Sequence, residues 1–88
     1  MIAREADLGS EILRVVAAEV CVDELKLSEA TYFTSDLGLS SLHALEIVEV
    51  CEKRFEVAIP DSVVPTLMTI GDLVRFIQEQ RQAQVETP

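Results

Sequence analysis

Apolar residues recur every three or four positions over three stretches of the chain, the spacing of one face of an α-helix. The first stretch predicts a helix over about residues 8–21, with Asp7 or Ser10 as the capping side chain at its start. Its apolar positions are Leu8, Ile12, Val15, Val16 and Val20.

The second stretch predicts a helix over about residues 41–55. At about 100° per residue, one broad side faces the core. That side holds Ala44, Leu45, Ile47, Val48, Cys51 and Phe55. The opposite side holds Leu42, His43, Glu46, Glu49, Val50 and Lys53. Leu42 and Val50 therefore stand exposed among charged residues, either as scattered surface apolar residues or as part of a docking face.

The third stretch predicts a last helix over about residues 70–82, followed by a frayed tail over about 83–88. Thr69 and Asp72 have the spacing of a capping box at its start. Pro60 and Pro65 allow only a short helix, to about residue 67, between the second and third stretches. No segment is typical of a strand. The pattern predicts an all-α bundle of three main helices and one short helix, forming one domain over residues 1–88.

A long polar connection spans about residues 22–40. Leu25, Leu27 and Phe33 are expected to pin it to the core. Loops of this length in a small domain usually carry function or wrap the core. Gly38 permits a turn near its end, and the following serines offer capping oxygens for the second helix.

Composition excludes several functions. The chain has 88 residues, with 16 acids against 7 lysines and arginines, a net charge of −9. This charge opposes nucleic-acid binding and favours basic protein partners. No apolar run approaches the ~20 residues that span a bilayer, so no membrane insertion is predicted. Cys21 and Cys51 are predicted to be buried, reduced thiols in a cytoplasmic protein, and one histidine leaves no usual zinc site, so no metal is predicted.

The candidates for catalysis are weak. Ser41 and His43 are two positions apart on a helix, so their side chains do not face each other. Glu46 and Glu49 share a helix face, which favours a solvated surface over an acid–base pair. A chain this short leaves little room for a deep substrate pocket, and we expect a protein that is not an enzyme.

Residues Asp36-Leu37-Gly38-Leu39-Ser40-Ser41-Leu42 resemble the attachment motif of the acyl carrier proteins, usually written D-L-G-x-D-S-L. The likeness extends without gaps from about Leu8 to Ile77. Further positions at family spacing are Tyr32-Phe33, Glu46, Phe55, Ile59-Pro60-Asp61 and Thr69-Ile70.

The resemblance implies a function. In this family the motif serine, here Ser41, receives 4′-phosphopantetheine from coenzyme A through a phosphopantetheinyl transferase, and Asp36, Gly38 and Ser40 complete the motif. The thiol of the arm carries acyl groups as thioesters between acyl-loading, condensing and tailoring enzymes. The resemblance also implies a small acyl-carrier-like bundle that acts as a monomer and is not itself a catalyst.

The chain departs from the fatty-acid carriers at several charged positions. Ser40 and His43 replace common acids, and Lys53 and Arg54 interrupt an acidic run, so three glutamates against two bases leave residues 41–55 with a net charge of −1. Docking is therefore expected to depend on Leu42, Val50, Glu46 and Glu49, with His43 and Lys53 setting specificity. These departures favour a specialised pathway, such as polyketide or modified-lipid synthesis, and leave a fatty-acid pathway open.

Other interpretations stay open at this point. A peptidyl or aminoacyl carrier would bear the same arm, although such carriers usually show G-G-x-S-L at the attachment point. An unmodified acidic helical adaptor would use Ser40 and Ser41 only as helix caps. For a carrier, the apolar interior can take up part of a modest acyl chain. Its expected lining residues are Val48, Cys51, Ile59 and Leu73.

Overall fold

The computed structural model describes residues 8–86, the last three by their backbone alone. Its main helices are α1 (Leu8–Val20), α2 (Ser41–Phe55) and α3 (Ile70–Glu86), and two short 3₁₀ helices cover Glu24–Lys26 and Val64–Thr66. Over these residues the only β-type pairing is an isolated antiparallel bridge between Tyr32 and Thr69. The predicted all-α bundle is confirmed, and the short helix at Glu24–Lys26 is an addition that the sequence pattern did not predict.

The ends of the helices differ from prediction at two places. Ser10 lies inside the first turn of α1 and does not cap it, while Asp7 falls outside the described residues. The third helix does not end near Gln82 but continues to Glu86, because residues 79–84 are mostly good helix formers and no breaker intervenes. Fraying over residues 83–88 stays a prediction, and residues 87 and 88 lie outside the described part.

A single core holds the three helices together, and it consists of the predicted apolar faces. Burying one large aliphatic side chain of this kind contributes about 1.5–3 kcal/mol. Ala44 and Leu45, which were predicted on the core side, are only half-buried, because they follow the exposed first residues 41–43 of α2. The helices bury Leu8, Ile12, Val15, Val16, Ala17, Ile47, Val48, Cys51, Phe55, Ile70, Leu73, Val74 and Ile77, and the connections bury Leu27, Phe33, Val57 and Ile59.

The first connection is pinned to the core by two of its three predicted anchors. Leu27 and Phe33 are buried, as predicted, but Leu25 is 90% exposed. Leu25 is the middle residue of the 3₁₀ turn Glu24–Lys26, and its N–H donates to the Asp23 carboxylate. Because such a turn has about three residues per revolution, Leu25 and Leu27 cannot point the same way.

The same connection crosses the start of α3 at very short range. The N–H of Gly71 donates to the carbonyl oxygen of Glu29 at 2.8 Å, and the N–H of Ile70 donates to that of Thr31 at 3.0 Å. A Cβ atom at position 71 would lie 2.8 Å from the Glu29 oxygen, so this crossing requires glycine. The crossing ties the segment that leads to α2 to the start of α3.

The two cysteines have different environments. Burial raises the pKa of the Cys51 thiol to about 12, with a further increase from Glu19 and a partial offset by Arg54, so the thiol stays protonated. Cys21 is exposed, and the prediction that it is buried was wrong. It follows the last residue of α1 and has a left-handed backbone conformation, with φ 58°, so it no longer belongs to the helical face that packs on the core.

Candidate functional site: the start of the second helix

The loop before α2 is closed by its own hydrogen bonds. The N–H groups of Asp36 and Leu37 donate to the Tyr32 carbonyl oxygen at 3.3 and 3.2 Å, and that of Leu39 donates to the Phe33 carbonyl oxygen at 3.0 Å. In the opposite direction, Asp36 Oδ2 accepts a 2.8 Å bond from the N–H of Tyr32. Asp36 therefore fixes the loop through both its backbone and its side chain.

Gly38 forms the turn that leads the chain into α2. Its φ is +67°, a left-handed conformation in which side chains with a Cβ are strained. A Cβ atom added there would meet no atom within 4 Å, so the backbone conformation, and not lack of space, explains the glycine. The turn predicted from the sequence is present.

Ser40 is the N-cap of α2. Its Oγ accepts a 3.2 Å bond from the N–H of His43, and its carbonyl oxygen accepts the first helical bond, from Ala44, at 3.0 Å. The backbone of Ser40 is extended, as N-cap residues usually are. Of the two adjacent serines, the structure uses Ser40 to start the helix.

Ser41 is the first residue of α2 and is exposed. Within residues 8–86 its hydroxyl has no hydrogen-bond partner, and the N–H groups of Ser41 and Leu42 have no acceptor. Unpaired N–H groups and the positive end of a helix dipole favour a phosphate group. A phosphodiester on the Ser41 oxygen therefore fits the residues around it.

The polar face of α2 extends away from Ser41. Leu42 is 66% exposed, and His43, Glu46, Glu49 and Lys53 are exposed as well. Val50 is only partly exposed, because it packs against the core. Of the two apolar residues expected to be exposed on this face, only Leu42 is. Lys53 is twelve residues from Ser41, about 18 Å along a helix.

On the exposed face of α2, Glu46, Glu49 and Lys53 form no ion pair with another described residue. Between described residues there are ion pairs from Arg14 to Glu24 at 3.8 Å and from Arg75 to Asp72 at 2.9 Å, both outside α2.

Over residues 8–86 no three His, Cys, Asp or Glu side chains come together in a way that could hold a metal ion. In the same range no helix is both long enough and apolar enough to span a bilayer.

One residue near the far end of α2 has a role that the sequence pattern did not indicate. Glu52, half-buried on α2, accepts a 2.7 Å bond at its Oε2 from the N–H of Ile59. The two residues are seven positions apart, a spacing that belongs to no local capping motif. A carboxylate on a helix followed by an apolar segment is too common a pattern to have predicted this bond.

A small helical bundle with an exposed serine hydroxyl at the first turn of its second helix is suited to hold a covalent arm. Residues 10–77 match the family model described as PP-binding, phosphopantetheine attachment site, and the chain belongs to this family, whose cofactor is phosphopantetheine. It is similar to an acyl carrier protein of Sinorhizobium fredii and to the acyl carrier protein AcpP of Rhizobium meliloti. Each is 36% identical over 74 residues, which cover 84% of this chain and 95% of the relative.

Proposed function

We propose that this protein carries acyl groups on a 4′-phosphopantetheine arm attached to the Oγ of Ser41. The observation that carries the proposal is the exposed Ser41 hydroxyl, which has no hydrogen bond within the described residues and lies at the start of a 15-residue helix. The family match and the acyl carrier names of the relatives support the carrier role.

Attachment is a phosphoryl-group transfer from coenzyme A, catalysed by a phosphopantetheinyl transferase. A bond forms between Ser41 Oγ and phosphorus, the pyrophosphate bond of coenzyme A breaks, and the nucleotide part leaves while the hydroxyl proton is released. The arm supplies a thiol that binds acyl groups as thioesters. Ser40, Asp36 and Gly38 keep the loop and the helix start in place, so that the transferase meets Ser41 in a fixed position.

The protein itself is not a catalyst in this proposal. Acyl-loading, condensing and tailoring enzymes act on the cargo and dock on the exposed face of α2. On this face, Glu46 and Glu49 lie nearer Ser41 and Lys53 lies farther away. The face therefore favours partners with basic groups opposite the glutamates and acidic groups opposite Lys53. This pattern supports a specialised pathway such as polyketide or modified-lipid synthesis. The cytoplasm and a monomeric state stay predictions.

Incubation with coenzyme A and a broad-specificity phosphopantetheinyl transferase tests the attachment site. The intact mass is expected to rise by one phosphopantetheine group in the parent protein and not in Ser41→Ala. Ser40→Ala is the matched control: it loses the cap, at a cost of about 1 kcal/mol, but keeps the acceptor hydroxyl and is expected to be modified.

A parent protein that gains no mass would favour an unmodified adaptor, and a Ser41→Ala variant that still gains it would place the arm elsewhere. Loading assays with acyl and aminoacyl donors on the modified protein separate an acyl carrier from a peptidyl carrier. The acyl carrier names of the relatives favour the acyl donor.

A further inference from the structure

Residues 57–60, here called the wall segment, connect α2 to the turn before Val64–Thr66. Val57 and Ile59 are buried in the core, whereas Ala58 and Pro60 are exposed. The segment therefore covers one side of the core with two apolar side chains and has solvent on its outer side.

Besides this apolar packing, the hydrogen bonds that the wall segment donates end on a single residue. The N–H of Val57 donates to the main-chain carbonyl oxygen of Glu52 at 3.2 Å, and the N–H of Ile59 donates to Glu52 Oε2 at 2.7 Å. Pro60 has no N–H to donate. Among the described residues, both hydrogen bonds donated by the segment thus end on Glu52.

We propose that the wall segment opens as a local unit and that the Glu52 carboxylate is the positioning residue that latches it closed. Short segments with few hydrogen bonds open without global unfolding. A bond to a carboxylate is stronger than one to a neutral acceptor, so its loss makes opening of the segment more frequent. When it opens, Ile59 vacates a place in the same core cluster as Val48, Cys51 and Leu73.

Amide hydrogen exchange in the unmodified protein tests the latch, with the Val57 amide as the reporter. Its own acceptor is a main-chain oxygen that Glu52→Ala retains. If the segment opens as a unit, Glu52→Ala accelerates exchange of both the Val57 and the Ile59 amides. The expected acceleration is about tenfold, which corresponds to the loss of one charge-assisted hydrogen bond in a partly exposed position. Both rates stay independent of low denaturant concentrations, as expected of local opening.

Two further variants complete the experiment. Glu52→Gln keeps a neutral acceptor oxygen and is expected to restore only part of the protection, whereas the exposed Glu79→Ala is expected to leave both rates unchanged. Acceleration of Ile59 alone would show that the segment does not move as a unit. If the amides of the segment and those of the α3 core were accelerated equally and depended equally on denaturant, Glu52 would act on global stability. Either result overturns the proposal.

The use of this opening rests on the proposed carrier function. The space that Ile59 leaves can accept the apolar end of a carried acyl group. A weaker hydrogen bond between Ile59 and Glu52 lowers the free energy needed to open this space. With an octanoyl arm on Ser41, the methyl signals of Val48 and Leu73 are expected to shift further from their unloaded positions in Glu52→Ala than in the parent. Equal shifts would refute this use. Failure to modify Ser41 at all would refute the carrier function, while the exchange rates of the unmodified protein still decide the latch.

Discussion

Cys21 and Glu56, which follow the last residues of α1 and α2, adopt left-handed backbone conformations, with φ of 58° and 57°. In both cases the next N–H closes the helix end, from Val22 to the Ala17 oxygen at 3.1 Å and from Val57 to the Glu52 oxygen at 3.2 Å. Glycine usually occupies such positions, because a Cβ costs about 1 kcal/mol there. These two residues therefore carry local strain.

We expect Cys21→Gly to raise the free energy of unfolding by about 0.5–1 kcal/mol, because relief of the left-handed strain exceeds the added entropy of glycine in the unfolded chain. Urea denaturation followed by circular dichroism measures the change. Ala18→Gly, in the same helix with a right-handed backbone, is the control and should lower the free energy of unfolding by up to about 1 kcal/mol. An equal loss in both variants would show that Cys21 is not strained.

At the scale of one element, the start of α3 is held by the predicted capping box. Thr69 Oγ1 accepts from the N–H of Asp72 at 3.1 Å, and Asp72 Oδ2 accepts from the N–H groups of Met68 and Thr69 at 3.0 and 3.1 Å. The hydrogen bond from the Thr69 N–H is the largest of the effects that hold the pKa of Asp72 below its usual value of 3.8. Desolvation is the next largest effect and raises the pKa, while the Met68 N–H and the Arg75 and Thr69 side chains lower it further.

This lowered pKa predicts a pH dependence. A carboxylate whose pKa is lower in the folded state stabilises the fold above its unfolded pKa and loses that effect as the pH falls through the folded value. We expect Asp72→Ala to lower the free energy of unfolding by about 1 kcal/mol at pH 7, the usual value of a cap. The difference from the parent should shrink as the pH falls below 3.8, measured by urea denaturation at several pH values.

A difference that stays constant down to the acid limit would contradict this account of Asp72. The exposed Asp61→Ala removes a carboxylate that has no hydrogen bond within the described residues, and at pH 7 it should change the free energy of unfolding by less than about 0.5 kcal/mol.

The elements that could be predicted from the sequence are those with a local signal at their ends. Ser40 and the serine after it marked the start of α2, and Thr69 with Asp72 marked the start of α3. Where such a signal was missing, prediction failed. Nothing marked the end of α3, and Leu25 was expected in the core only because it is an apolar residue in a polar connection. At the candidate site, the position of Ser41 at the start of α2 and the turn at Gly38 could be predicted. The hydrogen bonds from Tyr32 to Asp36 and from Ile59 to Glu52 could not, because they depend on how the chain folds back.

At the scale of the whole molecule, the distribution of charge matters more than its sum. The chain has a net charge of −9, yet the helix that begins at Ser41 has three glutamates against two bases, or −1. The negative charge therefore lies mostly away from the proposed docking face. Since opposite charges steer association, enzymes that recognise strongly acidic carriers should use this protein poorly.

The double substitution His43→Asp and Lys53→Glu is expected to raise kcat/KM of a basic fatty-acid synthase enzyme for the loaded carrier about three- to tenfold at low salt, as a few new surface charge pairs would. The gain should decline as the salt concentration rises. Lys53→Glu alone can be compared with Arg54→Glu, which changes the charge equally but lines a groove with Glu11 and Arg81, off the docking face. Equal gains from both single variants would show that net charge, and not the face, is recognised.

The hydroxyl groups of Ser40 and Ser41 have different roles, and this difference bears on when the protein can be modified. Ser40 alone secures the beginning of α2, so an ester formed on Ser41 would break no hydrogen bond of the described structure. In the proposed function, attachment of the arm therefore requires no rearrangement of the hydrogen bonds at the start of α2. A newly synthesised chain can therefore adopt its final fold before phosphopantetheine is attached.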